Sequence, residues 1–177
     1  MDNMLRIKRV SGKLRRASDA LFWATPLLCA VYWCFFNEFP AAMKSQLPVM
    51  ERMELPAMNR LLCFAATLPP VGVAMNGFWN LRGLFGLYAA GEVFTKRNVC
   101  RYRRLGRTLL YWAGAVFLHT PLLSLAMSAG MPQGQRHLVI AIGSIELVAL
   151  FAGAVALVIS WVMDEGRRIE EENALTI

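Results

Sequence analysis

The chain has 177 residues, of which 56% are apolar, with a mean hydropathy of +0.42 and a formal net charge of +7. Soluble domains use about 45–50% apolar residues, and here the charge sits at segment ends, so a membrane protein is expected. The basic surplus flanks apolar runs, which suits orientation and anionic headgroups better than direct nucleic-acid binding.

Residues 1–19 carry Arg6, Lys8, Arg9, Lys13, Arg15 and Arg16, with Met4, Ile7, Val10 and Leu14 between them at helical spacing. That pattern predicts an interfacial helix in the headgroup layer. A signal peptide is disfavoured, because no small-x-small cleavage site follows the aromatic-rich apolar run. The first span is expected over 20–36, with Pro26 as a possible kink and with Trp23, Tyr32 and Trp33 as interfacial aromatics.

The first outside loop, 37–58, holds three prolines. These oppose one long helix, although a short amphipathic turn over 47–53 fits the pattern. The second span is expected over 59–79 and continues as a helix to 90. Pro69 and Pro70 remove two backbone donors and should kink or break it. Asn76 and Asn80, four residues apart, share a face that should be interhelical.

The middle loop, 80–107, is rich in arginine. Gly91 should break the preceding helix, and Thr95 should cap the next through its side-chain oxygen. Val99, Tyr102, Leu105 and Leu109 then form one stripe, with most arginines off it. This predicts a basic amphipathic helix at the bilayer surface that runs into the next span. Spans three and four are expected over 108–129 and 137–163, and a charged tail occupies 164–177. Fifteen lysines and arginines fall in 1–19, 80–107 and 164–177, against four in the outside loops and their flanks. This bias places both ends in the cytoplasm. No inverted repeat of the transporter kind is visible.

Four cysteines occur without a CxxC or any paired spacing, so they read as small buried hydrophobes, with no disulfide framework or zinc site. No catalytic set or phosphate loop is visible, so an enzyme is not expected, nor is a cofactor. Glu146 is the one acid inside a predicted span, which makes it a site candidate by default. Counting rise along spans three and four puts His119 at a similar depth and makes it the natural partner. Such a pair would be a structural hydrogen bond, a proton or cation relay, or part of a ligand pocket. The tail carries Asp164, Glu165, Glu170, Glu171 and Glu172 on the same membrane side as the basic loop. These two runs either dock on each other, form a platform for a partner, or stand solvated.

Two segments resemble a known family. One is Gly91-Glu92-Val93-Phe94-Thr95-Lys96-Arg97-Asn98-Val99, followed by an arginine-rich helix that enters a span. The other is the charged tail that ends Glu172-Asn173-Ala174-Leu175-Thr176-Ile177. Both resemble the domain of unknown function 2975, a family of small four-span proteins of bacterial cytoplasmic membranes. The resemblance runs from the first span to the end, and it implies a neighbouring small helix-turn-helix regulator as a possible partner, with no established activity. The tail departs from the family pattern at Gly166 and Arg168.

The expected fold is therefore an all-α integral membrane protein, a four-helix transmembrane bundle with cytoplasmic amphipathic extensions. The expected function is a non-enzymatic regulatory or interaction protein of the bacterial inner membrane. Its contacts would be the lipid bilayer, a cytoplasmic protein partner and, as an open option, further copies of itself. Gly91, Glu92, Thr95, Asn98, Arg101, Arg104, Glu170, Glu171 and Glu172 are the candidate cytoplasmic interaction residues. The alternative is a small transporter or channel component built on Glu146 and His119.

Overall fold

The computed structural model describes residues 2–40, 54–93, 95–132, 136 and 138–174. Four long helices account for most of them: α1 (Asp2–Cys34), α2 (Ala57–Ala90), α3 (Lys96–Ser128) and α4 (Ser144–Ala174). A single 3-10 turn, Phe36–Glu38, follows α1. The turn proposed at 47–53 lies outside the described residues.

Each helix packs extensively only on its neighbours in the chain. The partners show that every neighbouring pair is antiparallel. Along α1 and α2, Asp19 meets Arg82 and Trp33 meets Thr67. Along α2 and α3, Tyr88 meets Tyr102 and Asn59 meets Ala126. Along α3 and α4, Gly106 meets Leu157 and Arg103 meets Asp164. The N-terminal end of α1 and the C-terminal end of α4 therefore lie at the same end of the molecule as the turn between α2 and α3.

The core sits at the opposite end. Trp33, Phe36, Leu55, Cys63, Leu123, Ala126 and Met127 cluster there. Aromatic contacts of Tyr32, Trp33, Phe36 and Phe39 reinforce it. Asn37 clamps the ends of the outside loop, since its Nδ2 donates to Leu55 O at 3.1 Å and its Oδ1 accepts from Leu55 N at 3.0 Å. Asn59 Nδ2 ties the start of α2 to the end of α3 through the carbonyls of Ala126 and Met127.

α4 is held to α3 by a reciprocal glycine contact. A Cβ added at Gly106 would lie 3.0 Å from Gly153 O and 2.8 Å from Leu157 Cγ. A Cβ added at Gly153 would lie 3.1 Å from Gly106 O and 2.9 Å from Leu110 Cδ2. The two backbones meet because neither side carries a side chain, the usual means of close approach between membrane helices. The buried residues Ala149, Ala156 and Ser160 extend this small-residue face.

Several expectations need correction. The basic N-terminal segment is not a separate interfacial helix, because it is continuous with the first apolar stretch in α1. The arginine-rich segment runs directly into the third apolar stretch, as expected. It is the first part of α3 and packs along α2. α2 runs through Pro69 and Pro70 without interruption. α4 starts at Ser144 and not near 137, and it continues through Gly166 to Ala174.

Three helical stretches are long and apolar enough to cross a membrane: Ala57–Ala90, Lys96–Ser128 and Ser144–Ile169. The four-span bundle thus stands at three candidate spans among the described residues. The apolar part of α1, from Ala20 to Cys34, is shorter than the roughly 20 residues of a typical span. Thr25, Pro26, Tyr32 and two tryptophans dilute it further.

Candidate functional site

The turn between α2 and α3 is built by the residues that carry the family resemblance. Gly91 sits at φ 90°, the left-handed conformation that ends α2. Its N–H donates to Tyr88 O, and the Glu92 N–H donates to Leu87 O, both at 3.0 Å. This pattern satisfies two of the four carbonyls that a helix end leaves free. A Cβ at Gly91 would also lie 2.8 Å from Lys8 Cε, but that flexible side chain can move aside, so it is the left-handed backbone that calls for glycine.

Thr95 caps α3 as expected, its side-chain oxygen accepting from Asn98 N at 3.4 Å. Asn98 then closes the turn from inside. It is fully buried, and its Nδ2 donates to Glu92 O and Val93 O, each at 2.7 Å. Gly91, Thr95 and Asn98 are consumed in making a stiff hairpin. Glu92 adds an exposed ion pair with Arg97 at 3.9 Å, worth little in solvent.

The arginines divide into two groups. Arg101 is not a surface group. Its guanidinium crosses α2 over Gly83, closer than 3.0 Å to where a Cβ would stand. Its Nη1 donates to Asn80 Oδ1 at 3.3 Å, and Asn80 Nδ2 donates to Asn76 O and Oδ1 at 2.9 Å. The expected interhelical face of Asn76 and Asn80 is therefore present. Arg97, Arg103, Arg104 and Arg107 are exposed, off the inward stripe of Val99, Tyr102, Leu105 and Leu109.

The tail of α4 meets this basic helix. Arg103 Nη2 lies 3.6 Å from Asp164 Oδ2. Arg167 bridges Asp164 and Glu171 along the tail, and Arg168 pairs with Glu165 and Glu172. The hydrogen bond from Arg167 holds the Glu171 carboxyl below its ordinary pKa, and the nearby charge of Lys96 on α3 pulls in the same direction. Of the candidate tail residues, the Glu170 side chain lies outside the described set.

The proposed pairing of Glu146 with His119 is not how these residues bond. Because α4 begins at Ser144, Glu146 is in its first turn and not deep inside a span. It is buried, and its Oε2 accepts from Gly143 N at 2.9 Å. A glutamate in the first turn that reaches back to the N–H just before the helix is half of a capping box. The carboxylate also suits the positive end of the helix dipole. His119 bonds on another side of α3, with its Nε2 3.3 Å from Thr67 Oγ1. Trp33 Nε1 donates to the same hydroxyl at 3.1 Å, and that hydroxyl reaches Cys63 O at 2.8 Å.

These groups floor an apolar cavity of about 490 Å³ lined by Leu28, Tyr32, Trp33, Thr67, His119 and Leu123. The bonding groups here are an imidazole, a hydroxyl and an indole. Among the described residues, no three His, Cys, Asp or Glu side chains gather to hold a metal ion, and all four cysteines are free.

Sequence reasoning missed the role of Thr67, whose hydroxyl becomes informative only once α1 and α3 meet around it. It also missed the glycine contact. Ala149 and Gly153 stand at the small-xxx-small spacing that could have flagged it.

The helices and their exposed apolar surfaces define an all-helical protein with three stretches suited to a bilayer. A family model described as "Protein of unknown function (DUF2975)" matches residues 38–177, and the chain belongs to that family. The match begins after α1, so the first helix lies ahead of the matched region, whereas the expected resemblance started at the first span. No curated protein and no solved structure matches the chain.

Proposed function

We propose that this is a non-enzymatic, four-pass protein of the bacterial cytoplasmic membrane, with both ends in the cytoplasm, that holds a cytoplasmic protein on the face made by the α2–α3 hairpin and the α4 tail. The observation that carries this reading is the Arg103–Asp164 pair. It joins a stiff basic hairpin to a charged helix end, so that charges of both signs are presented together at one end of the molecule. A fourth span by α1 is supported by its outward-facing Leu21, Trp23, Leu27, Leu28 and Val31, which suit a lipid surface. The orientation is supported by the excess of lysine and arginine at this end. A small helix-turn-helix regulator is the partner that the family resemblance suggests. The transport alternative rested on a Glu146–His119 pair and is not carried forward.

The test is co-purification from detergent-solubilised membranes with the product of a flanking regulator gene. The wild-type chain should retain it, and Arg104→Glu with Arg107→Glu should release it. Retention unchanged by the charge reversal, or no retention by the wild-type chain, refutes the platform. Topology is checked separately with cytoplasm-only reporters, active at Cys100 and after Ile177 and inactive at Pro48.

A further inference from the structure

The helices form a row with α1 at one edge and α4 at the other, each packed extensively on a single neighbour. At the end that carries the hairpin, the two edges differ in character. On α1, Ser11 and Ser18 are buried, whereas Ile7, Val10 and Leu14 are exposed beside Arg6, Arg9 and Lys13. Arg6, Ile7, Val10 and Ser11 line a groove of about 430 Å³. Residues 2–19 hold six bases and two acids. On α4, Ile169 is 53% exposed, and Glu165 and Glu172, four residues before it and three after it on the same face, have side chains 63% and 72% exposed. Residues 164–173 hold five acids and two bases.

The two edges also stand level. Asp19 pairs with Arg82, Gly83 lies against Arg101, and Arg103 pairs with Asp164. Following these contacts across the row places Asp19 near the height of Asp164, so the segments around Val10 and Ile169 both lie beyond it. α1 runs toward the core end and α4 runs away from it. Brought together, they would make a fourth antiparallel contact of the same kind as the three within the chain.

We propose that the α4 edge of one copy seats on the α1 edge of a second copy, with Ile169 in the groove of Arg6, Ile7 and Val10 and with Glu165 and Glu172 facing Arg6, Arg9 and Lys13. Within one chain the edges are separated by α2 and α3. A second copy satisfies both at once, since the apolar stripe meets an apolar residue and the basic edge meets an acidic one. An anionic bilayer surface would match only α1 and would repel the tail. The contact is heterologous, so it closes as a ring or extends as a row. It does not depend on the regulatory partner proposed above.

The experiment uses two differently tagged full-length chains, both with the native cysteines changed to serine, co-expressed in membranes. One carries Val10→Cys and the other Ile169→Cys. Oxidation should give a product that contains both tags at the summed mass. Glu165→Lys with Glu172→Lys should abolish it, and Arg6→Glu with Lys13→Glu on the Val10→Cys chain should restore it. A separate Arg103→Cys/Asp164→Cys crosslink within one chain verifies that the variants remain folded. The proposal is overturned if folded chains give no mixed product, or if the product ignores the charge reversals. Protection of Val10→Cys from a water-soluble maleimide by anionic but not zwitterionic lipid, without mixed product, would assign the stripe to the bilayer and also overturn it.

Discussion

Alanine at Gly106 and at Gly166 should have opposite effects on stability. In an exposed helix interior, replacing glycine with alanine stabilises by about 1 kcal/mol through backbone entropy. Gly166 lies in the α4 tail with nothing within 4 Å of an added Cβ, so Gly166→Ala should show that gain. At Gly106 the added carbon would stand 3.0 Å from Gly153 O and 2.8 Å from Leu157 Cγ, short of the 3.4–4 Å of ordinary contact. Leu157 can rotate away, but the carbonyl cannot, so α4 must retreat by roughly 0.5 Å. A gap of that size forfeits about a quarter of the dispersion energy along the contact. Overpacking of this kind typically costs about 1–3 kcal/mol, and the propensity gain offsets part of it. Gly106→Ala should therefore destabilise by about 1–2 kcal/mol. Gly153→Ala should behave alike, and the double variant should cost less than the sum, because one separation relieves both clashes. The assay is SDS-driven unfolding in mixed micelles followed by tryptophan fluorescence, with Gly114→Ala as a control on α3 that meets nothing within 4 Å. If Gly106→Ala stabilises as much as Gly166→Ala, the helices do not meet at this point.

Asn98→Leu removes two hydrogen bonds of 2.7 Å that close the hairpin turn from inside. It should destabilise by about 2–3 kcal/mol, at about 1 kcal/mol per bond plus the stranded carbonyls. Hydrogen exchange of the amides of 87–99 should rise with it, and unchanged protection would contradict the closing role. Glu146→Gln keeps an acceptor for the Gly143 N–H and should be nearly neutral, whereas Glu146→Leu should cost about 0.5–2 kcal/mol, the range for a lost helix cap. The same micelle titration reads both. Equal and large losses for the two variants would mean that the negative charge itself is needed, and the capping role would fail.

The sequence by itself determined the class of molecule and the ends of its helices at the hairpin. Those features are local. A left-handed residue after a helix needs glycine, and a cap needs a short polar side chain, so Gly91 and Thr95 could be read without knowing their neighbours. The apolar runs likewise announce helices for a bilayer, although a run counted by composition does not say where its helix begins. That ambiguity misplaced Glu146. Gly143 and Ser144 look unremarkable within an apolar stretch, and only the start of α4 turns the glutamate from an intramembrane charge into a cap. Matching depth along two spans could not pair it with His119, because depth says nothing about which side of a helix a residue faces. The rotation of α3 against α2 and α4 decides that, and it sends His119 to Thr67 and Gly106 to Gly153. The same rotation turns Arg101 inward over Gly83 and leaves Arg103 free to reach Asp164. Which arginine packs and which stays exposed is a property of helix pairs, and a single strand of sequence contains no such pair until the chain has folded.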